Sequence, residues 1–106
     1  MRALVMEVMR RSLETADIQG FERARPALEC VYRGGVSLVV TDCAMPGMDG
    51  LDFVRAIRDS GNAVPILMVS GSHEVENEAL TAGATMYLSK DHVMTKLAAC
   101  VRTLLR

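Results

Sequence analysis

The stretch SLVVTDCAMPGMDG, Ser37 to Gly50, constrains this chain more than any other. A short run of β-branched and aliphatic residues is closed by one acid, Asp42, and then by a turn built from Pro46, Gly47, Asp49 and Gly50. Such a run reads as a strand buried on both faces that runs into a loop. Asp42 then stands at the carboxyl end of the strand. In open α/β sheets the crevice outside the carboxyl ends of the strands is where ligands bind, so an acid there is placed for chemistry.

A second run, VPILMVSG from Val64 to Gly71, has the same character, with Pro65 tolerated at its start. A third, ATMYLSK from Ala84 to Lys90, reads as the last strand. Helical spacing fills the intervals. Leu4, Val5, Val8, Met9, Leu13 and Ala16 make residues 2–16 an amphipathic helix, followed by a weak strand over Asp17 to Arg23. Pro26 suits the first turn of a helix carrying Ala27, Leu28, Val31 and Tyr32, which Gly34-Gly35 ends. Asp49 or Gly50 caps a helix through Leu51, Val54, Ile57 and Arg58, ended by Gly61-Asn62. A polar helix over Glu74 to Thr81 stops at Gly83, and Val93, Leu97, Cys100, Val101, Leu104 and Leu105 form the closing helix. Strands alternating with helices predict an α/β fold, a doubly wound parallel sheet covered on both faces.

The chain has 106 residues, which suits one domain over residues 1–106. Half of its residues are hydrophobic, yet it has no Trp, two Tyr and two Phe, so the core must be aliphatic. Twelve basic and 13 acidic residues are interspersed, giving a net charge of -1 and no footprint for nucleic acid or an anionic membrane. No apolar segment is long enough to span a bilayer, and charge interrupts MRALVMEVMRRS where a signal peptide would be continuously apolar. The expectation is a cytoplasmic protein. Cys30, Cys43 and Cys100 show no ligand spacing and read as reduced structural thiols, as do the Met residues of the first helix as core filling. His73 and His92 follow strand ends and read as solvated loop residues.

The three strands end on Asp42, Ser70 and Lys90, so an acid, a hydroxyl and an ammonium converge on one sheet edge. A carboxylate can attack phosphorus and form an aspartyl-phosphate. Its oxygens then need cationic and hydrogen-bonding partners, which Lys90 and Ser70 supply. Mg²⁺ chemistry would call for further carboxylates, and Asp42 is the one strand-end acid.

DCAMPGMDG, Asp42 to Gly50, with MVSG, Met68 to Gly71, and GATMYLSK, Gly83 to Lys90, closely resembles the response-regulator receiver domains of two-component signalling. The resemblance covers nearly all of the chain and implies a flavodoxin-like fold of the stand-alone chemotaxis-regulator type. Carried over by position, it implies Asp42 as phosphoacceptor, with Ser70 and Lys90 as its catalytic partners. It also implies Ser70 and Tyr87 as switch residues, and Asp42 and the Ala44 carbonyl as metal ligands. Its partners would be a sensor histidine kinase or phosphotransfer protein and a downstream protein target. It is not an enzyme in this reading, beyond self-phosphorylation and self-dephosphorylation at Asp42.

Two departures qualify the resemblance. Asp91 follows Lys90 where the family keeps a proline. The family's first central strand ends in two acids that hold Mg²⁺, and a Met-Arg dipeptide often opens the helix after it; this chain starts at Met1-Arg2. The expectation is therefore an N-terminally truncated receiver, the first strand and acidic pair missing, with the exposed edge closed in a homodimer by strand or segment exchange. A degenerate receiver that serves as a dimerisation or interaction module without metal-dependent phosphorylation is the alternative. An aspartate-nucleophile phosphatase shares the strand-end acid but needs a second one two residues on, where this chain has Ala44.

Overall fold

The structure is a computed structural model that describes residues 23–42, 44–45, 48–71 and 73–105. The helix expected over 2–16 and the weak strand over 17–23 lie almost wholly outside the described residues. In chain order the described elements begin with α1, Ala24–Arg33, and β1, Val39–Asp42. A short hairpin of β2, Ala44–Met45, and β3, Met48–Asp49, leads into α2, Gly50–Asp59. Next come β4, Ile66–Ser70, a 3₁₀ turn, His73–Val75, and α3, Glu76–Ala82. β5, Met86–Ser89, a second 3₁₀ turn, Lys90–His92, and α4, Val93–Leu104, are the last of the described elements.

β1, β4 and β5 form a parallel sheet in that order, with Asp42 level with Val69 and Ser70 level with Ser89. β4 is the central strand among the described residues, and all five of its residues are buried. Its alternation divides the core. Ile66 and Met68 join Val39 and pack against Leu51, Phe53, Val54 and Ile57 of α2, Ala24 and Val31 of α1 and Ala79 of α3. Leu67 and Val69 turn the other way, with Leu88, onto Val93, Leu97 and Val101 of α4. Helices on both faces make this the doubly wound α/β fold that the alternation predicts.

Local chemistry accounts for the boundaries. α1 starts two residues before Pro26, so the proline sits in the first turn, where its missing N–H has no intrahelical partner to lose. The Asp49 carboxylate accepts from the Leu51 N–H at 2.8 Å and caps α2. α3 stops at Gly83, whose φ of +123° is open to glycine and strained for other residues.

Two expectations need correction. The first strand begins at Val39 rather than Ser37, and only one of its faces is buried: Val39 and Thr41 are covered, Val40 and Asp42 half-covered. The reason is lateral position, since β1 lies at the far side of β4 from β5 and the described helix on the Val40 face, α4, packs over β4 and β5. The last strand spans Met86–Ser89, so Lys90 is not its final residue but the first of a 3₁₀ turn.

Candidate functional site

At the carboxyl edge of the sheet, Asp42 ends β1 and Lys90 follows directly on β5. These strands are not neighbours; β4 runs between them. Two inter-strand spacings, roughly 9–10 Å, therefore separate their backbones, and Lys90 reaches across the end of β4. Its Nζ stands 3.1 Å from Asp42 Oδ2, with the lysine side chain 39% and the aspartate side chain 24% exposed. A Cβ built on Gly71 would lie 3.6 Å from Lys90 Cδ, so the lysine stem passes beside the residue after β4.

Ser70 ends β4 and is buried, 5% exposed. Strand alternation puts it on the face shared by Met68 and Tyr87, opposite Val69. The Tyr87 hydroxyl points at the Ser70 carbonyl across 3.5 Å, the long end of hydrogen-bond reach. Ser70 and Tyr87 thus meet on one side of the edge while Lys90 crosses to Asp42. The three residues expected at the edge are all there, and a direct polar contact joins Asp42 to Lys90.

Ala44 pairs with Asp49 in the hairpin that follows Asp42. A magnesium ion wants about six oxygens in an octahedron, one or two of them from carboxylates. Asp42 and the Ala44 carbonyl supply two donors, and among the described residues no three His, Cys, Asp or Glu side chains cluster closely enough to hold a metal. What faces Asp42 is an ammonium group. The described donors therefore do not by themselves fit a magnesium site. Of the two histidines, His92 is exposed in the second 3₁₀ turn; His73 opens the first.

Sequence reasoning missed Ser89. It is the last residue of β5, 5% exposed, and its Oγ accepts from the Asp91 N–H at 3.3 Å. The signal was available: a serine two residues before a residue that has an N–H, where the family would have proline, is the pattern of a serine turn.

The opposite, amino edge of the sheet holds a second cation. The Arg58 guanidinium donates to the Gly83 and Asn62 carbonyls at 2.9 Å each and to Thr85 Oγ1 at 3.4 Å. Thr85 Oγ1 in turn accepts from the Ile66 N–H at 3.1 Å. Burial pushes the Arg58 pKa below the ordinary arginine value.

Comparison with known proteins agrees with this fold. The family model of the response regulator receiver domain matches residues 1–102. The response regulator MprA of Mycobacterium leprae is 36% identical over 106 residues, covering 96% of this chain and 46% of the relative. The transcriptional regulatory protein PcoR of Escherichia coli is 35% identical over 88 residues, 81% of this chain and 39% of that protein. The chain thus spans less than half the length of these curated relatives. Among solved structures, the chemotaxis response regulator CheY4 of Vibrio cholerae superposes with a TM-score of 0.84 at 25% identity, over 98% of this chain and 88% of its own. The receiver domain of the Francisella response regulator 1452 gives a TM-score of 0.84 at 23% identity, over 97% and 88%, a likeness of fold. With its parallel sheet and a family match over residues 1–102, the chain belongs to the response-regulator receiver domain family.

Proposed function

We propose that this receiver takes a phosphoryl group onto Asp42 from the phosphohistidine of a sensor kinase or phosphotransfer protein. In that step an Asp42 carboxylate oxygen forms the new bond to phosphorus as the phosphorus–nitrogen bond breaks. The imidazole keeps the electron pair and takes a proton from solvent. The observation that carries the reading is the 3.1 Å pair of Asp42 and Lys90 at the carboxyl edge. An ammonium already beside the nucleophile offsets the negative charge that the phosphoryl oxygens bring.

Ser70 is the proposed hydroxyl partner of the phosphoryl group, and Tyr87 the residue whose ring follows it, because the Tyr87 hydroxyl already meets the Ser70 carbonyl. Their movement would reach the face formed by α3, β5 and α4, where Leu80 and Met94 are exposed, and a downstream protein would bind there. A cytoplasmic location and signalling by protein contact, as in stand-alone chemotaxis regulators, belong to the same proposal. No helix among the described residues is long and apolar enough to cross a membrane. Asp42 and the Ala44 carbonyl are the proposed protein donors should Mg²⁺ bind.

Intact-mass measurement with a small phosphodonor and Mg²⁺ tests the reading. One phosphoryl adduct on the wild type and none on Asp42→Asn is the expected result; an adduct that survives the substitution overturns it. The lack, among the described residues, of further carboxylates clustered with Asp42 favours one alternative, a degenerate receiver that works as a dimerisation or interaction module without metal-dependent phosphorylation. That reading expects a homodimer in light scattering and no adduct, and a strict monomer with tight Mg²⁺ binding contradicts it.

A further inference from the structure

We propose that Ser89 is a positioning residue for the Asp42–Lys90 pair, an inference that rests on reading Asp42 as the phosphoacceptor. The problem it solves is one of reach. Lys90 leaves β5 and must meet a carboxylate on β1, across the end of β4. An extended strand continued through residue 90 would advance about 3.3 Å per residue along the strand, carrying the lysine away from the edge. The chain instead folds at once into the 3₁₀ turn Lys90–His92.

Ser89 makes that fold. Its backbone stays extended, φ −70° and ψ 141°, while its buried Oγ accepts from the Asp91 N–H. The other side of the turn is closed by the Val93 N–H, which donates to the Lys90 carbonyl, and Val93 is anchored in the core against α4's own Leu97. The Lys90 backbone is therefore held before and after, and its stem runs beside Gly71. A lysine otherwise loses much rotamer freedom when its ammonium is fixed, so a backbone aimed in advance makes the pair easier to form.

The Ser89 contact also explains why Asp91 can stand where the family has a proline. Proline has no N–H to donate. Here residue 91 has one, and a hydroxyl two residues earlier receives it. Serine and N–H form a single device that shapes the lysine loop.

The test compares Ser89→Ala, Ser89→Cys and Ser89→Thr in the full chain. Ala and Cys remove or weaken the acceptor, Cys with nearly conserved volume, and Thr restores the hydroxyl. Loss of one neutral hydrogen bond corresponds to a slowing of roughly three- to tenfold in adduct formation with acetyl phosphate, for Ala and Cys but not Thr. In a Lys90→Ala background the same substitution should change nothing further. Equal rates for wild type and both loss variants overturn the proposal, as does an undiminished effect without Lys90, which would mark Ser89 as merely structural. Should the wild type form no adduct, the reading of Asp42 fails separately, and the Lys90 side-chain nitrogen still reports by NMR. Slow exchange of its ammonium protons with solvent, lost in Ala and Cys and kept in Thr, supports positioning; identical exchange in all four proteins overturns it.

Discussion

Among the described residues, one cation cross-links each edge of the sheet, and the two cross-links are built differently. At the carboxyl edge Lys90 meets Asp42 through one contact, with both side chains partly in water. At the amino edge Arg58 donates to three acceptors on separate segments, the α2–β4 loop, the end of α3 and the lead-in to β5. A lysine ammonium is a point charge on a flexible stem, whereas the arginine fork holds several acceptors in fixed directions. Under the proposed function the first is a link that a phosphoryl group would break and remake; the second pins α2, α3 and the sheet. α3 accordingly is tied at its C-terminal end, by Arg58 and Gly83, and buries only Ala79 within its length. Its N-terminal end, toward the carboxyl edge, has no side-chain cap.

The sharpest way to break this comparison is to remove each cation and read both function and stability. Lys90→Ala should slow adduct formation at Asp42 on the order of a hundredfold, the scale of losing one preorganised charge-stabilising group. Arg58→Ala should leave that rate within about twofold and lower stability by about 1–2 kcal/mol, read as a shift in the urea midpoint. If Arg58→Ala silenced Asp42 while Lys90→Ala did not, the division of labour between the edges would be wrong. Because burial lowers the Arg58 pKa, its folded form gives up the proton before the unfolded one does. Stability from this group thus rises with pH only in the strongly alkaline range, and it adds no slope near neutrality.

Much of the carboxyl edge was legible in sequence because a parallel sheet converts distant strand ends into neighbours. The aliphatic run of β4 and the cap at Asp49 announce themselves locally, and Asp42 and Ser70 then follow from topology. Lys90 was misplaced by one element, because Leu88 and Ser89 continue the strand pattern and the turn depends on one hydroxyl contact. The half-exposed face of β1 was illegible for another reason. An aliphatic run does not say which strand the neighbouring helices cover, and Val40 is as apolar as Leu67. The Arg58 staple left no trace either, since its partners are carbonyls and a hydroxyl up to 27 positions away, and any residue can offer a carbonyl.

Gly83→Ala sharpens the amino-edge half of the comparison. A Cβ there would stand 2.6 Å from Arg58 Cγ, and φ is +123°. Backbone strain of this kind costs about 1–3 kcal/mol, and the arginine would have to swing away from the Gly83 carbonyl. The expected signature is non-additivity: in an Arg58→Ala background the clash is gone, so the double variant should be destabilised by less than the sum of the singles. Strict additivity in chemical denaturation would mean that Arg58 and Gly83 act independently.

The smallest expected effect is the stability cost of losing the Lys90 pair. With both side chains partly solvated, an ion pair of this kind is worth about 0–1 kcal/mol, because water screens the attraction and ordering a lysine opposes it. Lys90→Ala should therefore shift the urea midpoint barely at all, and raising the salt from about 0.01 to 1 M, which shortens the screening length from about 30 to 3 Å, should erase what difference remains. A large, salt-insensitive loss would instead make Lys90 a packing residue, its stem against Gly71 mattering more than its charge. The contrast between a weak link that controls chemistry and a strong one that holds the fold would then collapse. If the proposed function holds, the carboxyl edge is responsive because the Lys90 charge contributes so little to keeping the domain folded.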